Sequence, residues 1–223
     1  MELGSLSPGL LLVAIVGLAL APFVAVMVTS YTKIVIVLSL LRNALGLQAV
    51  PPNVVINGLA IILSIYVMYP IGIQISDTVA KSQGSSTQAG QPLDLRGILD
   101  LADKSKEPMR DFLIRHTSDG ERAFFLKTAQ RLLPENKRES LDSRDFIVVV
   151  PAFTVSELSQ AFQIGFLIFL PFLIIDLIVS NILLAMGMIM LAPTTVSLPF
   201  KLLLFVLIDG WSRLVHGLVL TYR

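Results

Sequence analysis

The sequence predicts an all-α membrane protein: two long helical hairpins, giving four hydrophobic helices kinked by proline and glycine, with a small helical polar subdomain between them. Three observations predict it. Of 223 residues, 54% are hydrophobic and 15% are charged, against about a quarter charged in a soluble domain. The charges are segregated: of the 33 Asp, Glu, Lys and Arg residues, 23 lie between Lys81 and Asp145. Residues 3–32 and 43–76 carry no charge at all, and each stretch exceeds the roughly 20 apolar residues with which a helix crosses a bilayer. Residues 1–80 are therefore read as a first apolar hairpin. Residues 81–145 are read as an extracytoplasmic polar subdomain with a flexible linker, and residues 146–223 as a second apolar hairpin with a methionine-rich loop.

Helix one is expected near Leu10–Leu41. Helix two is expected near Asn53–Ile75, begun by Pro51-Pro52, since proline suits the first helical turn. Ala19-Leu20-Ala21 resembles a cleavage site, but Glu2 precedes the apolar run without Lys or Arg and the run continues past the site, so a cleaved signal peptide is not expected.

Residues 81–92, KSQGSSTQAGQP, read as a linker. After it, Ile98, Leu101, Ala102, Met109, Phe112 and Leu113 recur at helical spacing, as do Phe125, Ala129, Leu132 and Leu133, so two or three short amphipathic helices follow. With 12 basic and 11 acidic residues in this block and a net charge of +1 overall, no surface for nucleic acid is expected. His116 reads as a solvated surface histidine.

Phe146–Val150 is apolar and β-branched and is stopped by Pro151. Helix three is expected over about Ser156–Ala185 and helix four over about Leu198–Leu220, with Pro171, Gly187, Pro193 and Pro199 as interruptions. Lys33 and Arg42 in the first hairpin and Lys201 in the second put both hairpin tips on the cytoplasmic side, and the termini and polar block outside.

Ionisable groups inside apolar helices are costly and need partners. Lys33, Arg42, Asp176, Asp209 and Arg213 are the buried polar or charged candidates. Asp209 and Arg213 are four apart and can pair within helix four. Glu157 and Lys201, isolated at the edges of apolar segments, are expected to pair with each other between neighbouring chains. No HExxH, GxSxG or GxxxxGK[ST] pattern is present. Asp176 and Asp209 lack the GxGD context of an intramembrane aspartyl pair. There is no cysteine and there are two histidines. The reading is of a protein that is not an enzyme and needs no cofactor or metal. An ion-coupled solute transporter using Asp176 and Glu157 is the alternative, although the two apolar blocks show no internal repeat.

Residues 29–46, TSYTKIVIVLSLLRNALG, followed by VPPN at 50–53, resemble the first segment of the type III export-gate family, called SctR in injectisomes and FliP in flagella. Residues 156–188, SELSQAFQIGFLIFLPFLIIDLIVSNILLAMGM, resemble its second segment, and 197–211, SLPFKLLLFVLIDGW, complete it. The lack of a convincing signal peptide looks more like the injectisome branch. The resemblance implies a homo-oligomer of five copies, joined by two smaller export-gate membrane components in the bacterial inner membrane, with the polar subdomain periplasmic. It implies a pore for unfolded secretion substrates, without catalysis. It also implies a seal at Met188, Ile189 and Met190, where many relatives carry three consecutive methionines, and pore-shaping bends at Pro171, Gly187 and Pro193. Inner-membrane lipid is a further expected partner, to an extent the assembly decides.

Overall fold

A computed structural model describes residues 8–47, 49–86, 95–138 and 141–223. Their regular secondary structure is all helical, joined by turns and bends, with no strand among them. The helices are α1 (Pro8–Met27), α2 (Tyr31–Ala44), α3 (Asn53–Ser86), α4 (Leu95–Arg115), α5 (Asp119–Leu132), α6 (Glu135–Arg138), α7 (Phe146–Ala185), α8 (Pro193–Leu207) and α9 (Gly210–Leu220). Among the described residues, α3 and α7 are each long and apolar enough to cross a membrane. So are α1 with α2, and α8 with α9, if each bent pair counts as one span.

Helix α2 is the centre. Its residues Ile34, Val37 and Leu38 pack on Ile56, Ala60 and Leu63 of α3, Ala161 of α7 and Leu218 of α9. Further along, Leu41, Ala44 and Leu45 meet Phe172 and Phe205. The α2–α7 pairings advance in one direction along both helices, so the two run parallel. Gly165 makes their close approach possible, because a Cβ there would lie 2.2 Å from Leu40 Cδ1. A third cluster joins Phe112 and Leu113 of α4 to Val149 and Phe153 of α7. The polar block is thereby seated on the hairpins.

Four expected boundaries are corrected. Helix one is two helices bent by 60° at residues 28–30. Thr32 Oγ1 donates to the Val26 carbonyl across that break at 2.9 Å, and the break lets α2 turn Lys33 into the interior. Helix two runs on to Ser86, so the first half of the expected linker is helical. Residues 87–92 lie outside the described residues. Helix three begins at Phe146, not Ser156. Val148, Val149, Ala152, Phe153 and Ser156 are all buried, and their spacing is that of one helical face. Packing on α4 overrides the local strand preference of Phe146–Val150, and α7 continues through Pro151. Helix four is α8 and α9, bent by 62° at Asp209, whose φ of 51° is left-handed.

Both hairpin tips are closed the same way. After α2, Gly46 (φ 77°) donates to the Asn43 carbonyl at 3.0 Å and Leu47 to the Arg42 carbonyl at 3.2 Å. After α7, Gly187 (φ 74°) donates to Leu184 at 3.0 Å and Met188 to Leu183 at 2.9 Å. This paired bonding caps a helix C-terminus and needs a residue that tolerates positive φ, which is glycine.

Candidate functional site

Two charge networks lie along the seam between α2 and α7. In the first, Lys33 Nζ stands 2.8 Å from Glu157 Oε1, and both side chains are 0% exposed. The approach is off the hydrogen-bonding direction, and neither atom has another hydrogen-bond partner among the described residues. Tyr222 completes the arrangement: its hydroxyl donates to Glu157 Oε2, and the Lys33 ammonium sits 4.2 Å from its ring centroid. A buried ion pair is tolerated when geometry and further contacts offset desolvation, and a cation over an aromatic face adds attraction.

In the second network, Lys201 Nζ donates to Asp176 Oδ2 at 2.7 Å and to the Ala44 carbonyl at 3.2 Å. Ser197 Oγ donates to Asp176 Oδ1 at 2.5 Å. Ala44 ends α2, so the ammonium also occupies the negative end of that helix dipole.

The expected Glu157–Lys201 pair is thus corrected. Glu157 is taken by Lys33 and Lys201 by Asp176, each within the chain. Sequence distance concealed the partners: α7 and α2 are separated by the whole polar block, and only their parallel packing brings residues 33 and 157 together. Lys33 is not a hairpin-tip charge either, since it lies at the opposite end of α2 from the tip. That leaves Arg42 as the tip cation of the first hairpin, where it donates to Asn53 Oδ1 at 2.6 Å and to the Pro51 carbonyl at 3.3 Å.

Asp209 and Arg213 do not form the expected side-chain pair, and both are exposed on the single chain. Asp209 stands at the bend before α9 in a left-handed conformation, off the helical register that pairing required. A backbone bond from the Arg213 amide to the Asp209 carbonyl, 3.1 Å, is what joins them. Asp176 is partly exposed, and Arg42 is also intermediate. Pro171 lies inside α7, Gly187 ends that helix and Pro193 begins α8.

The turn between α7 and α8 carries Met188, Ile189 and Met190, which are 45%, 80% and 101% exposed. Met186 and Leu191 beside them are exposed too. An apolar loop tip held on a rigid glycine-capped helix end is unusual for a surface in water.

His116 is not the solvated surface residue expected. It is half-buried, 4.7 Å from the Phe112 ring and edge-on to Tyr222 at 5.1 Å between centroids. Burial, helped by the positive charges of Lys33 and Arg115, lowers it from the ordinary histidine range to about 4. Tyr222, which sequence reasoning missed, joins this group to the ion pair. Its only sequence signal is an aromatic residue just past an apolar helix. Among the described residues, no group of three His, Cys, Asp or Glu side chains could hold a metal ion.

Residues 13–218 match the family described as the FliP family. The chain belongs to the FliP family. It is 51% identical over 214 residues to the "Pathogenicity-related ORF2" protein of Xanthomonas campestris pv. glycines, covering 96% of each chain. It is 50% identical to the "Hypersensitivity response secretion protein HrcR" of Ralstonia nicotianae, again covering 96% of each. It is 50% identical to the "Yop proteins translocation protein R" of Yersinia pestis, covering 92% of each. These FliP-family relatives carry pathogenicity, secretion or translocation names, which accords with the injectisome side of the resemblance.

Proposed function

We propose that this FliP-family chain is a pore-forming subunit of a type III secretion export gate, conducting unfolded substrate proteins across the bacterial inner membrane. The observation that carries this reading is the loop Met188-Ile189-Met190. It presents apolar side chains on a fixed turn while the charges of the neighbouring helices are neutralised inside the chain. In the proposed assembly about five copies, with two smaller membrane components, bring these loops to one ring. Pro171, Gly187 and Pro193 shape the helices around it. The polar block stands on the periplasmic side, and inner-membrane lipid meets whichever apolar faces the assembly leaves uncovered. The subunit performs no catalysis.

The transporter alternative draws less support. It needs Asp176 or Glu157 free to bind a coupling ion, and lysines engage both. The mass and symmetry of the particle extracted in mild detergent test the reading. A multi-subunit particle of about five-fold or helical symmetry supports the gate. A monomer or dimer that binds a small solute overturns it.

A further inference from the structure

Tyr222 touches four parts of the fold at once. Its hydroxyl donates to Glu157 of α7 and lies 3.4 Å from the carbonyl oxygen of Ser30, at the α1–α2 break. Its ring carries the Lys33 ammonium of α2. The same ring stacks on Phe112 of α4, with centroids 6.1 Å apart and planes at 18°, and meets His116 edge-on. A cleft of about 320 Å³ opens over it, lined among others by Val67, Ile71, Pro108 and Arg115. Tyr222 and His116 therefore stand between that cleft and the buried pair.

A fully buried lysine–glutamate pair persists only where the groups left over by the pair itself are satisfied. Here one residue supplies a further contact to each partner. The hydroxyl satisfies the second carboxylate oxygen, and the ring faces the ammonium. The other face of that residue is packed on α4, the helix that seats the polar block.

We propose that Tyr222 is the positioning residue for the Lys33–Glu157 pair and the link through which the polar block acts on it: a displacement of α4 moves the Tyr222 ring, and the ring moves the pair. The role has two separable parts, a hydroxyl that orients Glu157 and a ring that transmits the position of Phe112.

The chain has no cysteine, so Ser30→Cys supplies a reporter under Tyr222, at a site that is fully buried in the native fold. The measurement is the rate at which a maleimide labels that cysteine in the purified full chain in mild detergent. Tyr222→Phe keeps the ring and removes a hydrogen bond to a charged group, so labelling should rise roughly tenfold. With the pair replaced by Lys33→Met and Glu157→Leu, Tyr222→Phe should raise labelling far less, since only the 3.4 Å contact with the Ser30 carbonyl is then lost. Phe112→Leu should raise labelling when Tyr222 is present and add nothing when it is Tyr222→Leu. If Tyr222→Leu does not fold, the Phe variant in the two backgrounds decides. A Tyr222→Phe chain labelled at the parent rate, or equal effects with and without the ion pair, would overturn the positioning role. Additive effects of Phe112→Leu and Tyr222→Leu would overturn the link to the polar block.

Discussion

Lys201 and Asp176 are joined at 2.7 Å, and the same ammonium closes the end of α2 through the Ala44 carbonyl. One side chain of α8 thus fixes the second hairpin onto the tip of the first. Removing one partner of a buried pair costs roughly 3–5 kcal/mol because the other charge is left uncompensated. The cost here belongs at the lower end, since Asp176 is 25% exposed. Lys201→Met should lower the unfolding midpoint in detergent substantially. Asp176→Asn should cost less, because Ser197 still has an acceptor there. The double variant Lys201→Met with Asp176→Leu should recover part of the loss. Equal midpoints for parent and Lys201→Met would show that the pair contributes nothing to the fold.

The helical class and the apolar segments were legible because charge segregation and unbroken hydropathy are local properties. The two bends were not. Residues 28–30 contain no proline or glycine to announce a break, and just past it α2 carries Lys33 to Glu157. That contact spans more than a hundred residues of sequence. The start of α7 was misread for a related reason: Phe146–Val150 has strand-like composition, and burial against α4 decides its conformation. Of the candidate site, the need of each charge for a partner was legible, but not which partner. Asp176, Lys201, Lys33 and Glu157 are all isolated in sequence, and pairing is set by the parallel packing of α2 and α7. Tyr222 was invisible, since nothing local distinguishes it from any interfacial tyrosine.

His116 makes stability depend on acid pH. Its folded value, about 4, lies below the ordinary 6.5. Between those values the unfolded chain binds the proton and the folded chain does not, so stability falls as pH drops from about 6.5 to about 4 and levels off below that. The half-exposed ring faces solvent as well as Lys33 and Arg115, so the effect should be about 1–2 kcal/mol after screening. Unfolding midpoints measured across this range for the parent and for His116→Asn test it. The variant should lack the slope contributed by this group. The same slope in both chains would assign it to other groups.

The polar block is expected on the periplasmic side, and Ser86 at the end of α3 is a suitable reporter. With Lys33 and Lys201 neutralised inside the chain, the charge bias that orients the hairpins rests mainly on Arg42, so a direct measurement is needed. Ser86→Cys should react with a membrane-impermeant thiol reagent in cells whose outer membrane alone is permeabilised. Labelling confined to cells with a broken inner membrane would reverse the orientation.

The seal prediction follows from the exposed loop. A pore wide enough for an unfolded polypeptide leaks ions at rest unless an apolar constriction excludes water. The constriction must also deform around side chains of every size. Methionine suits both needs, because its thioether chain is apolar, unbranched and turns about three bonds. Met188 and Met190 flank Ile189 on the turn that Gly187 sets, so all three side chains project from a fixed backbone rather than from a flexible tail. In a five-copy ring each subunit would contribute two methionines and one branched residue, a less adaptable mixture than three methionines. Met188→Ala with Met190→Ala should therefore leave assembly and particle mass unchanged, since the loop makes none of the core contacts that hold the helices together. It should raise ion flux across the membrane and slow growth under salt stress. Ile189→Met should be at least as tight as the parent. If the double alanine variant assembles and remains as ion-tight as the parent, the seal lies elsewhere, and these methionines serve only to pack against neighbouring chains.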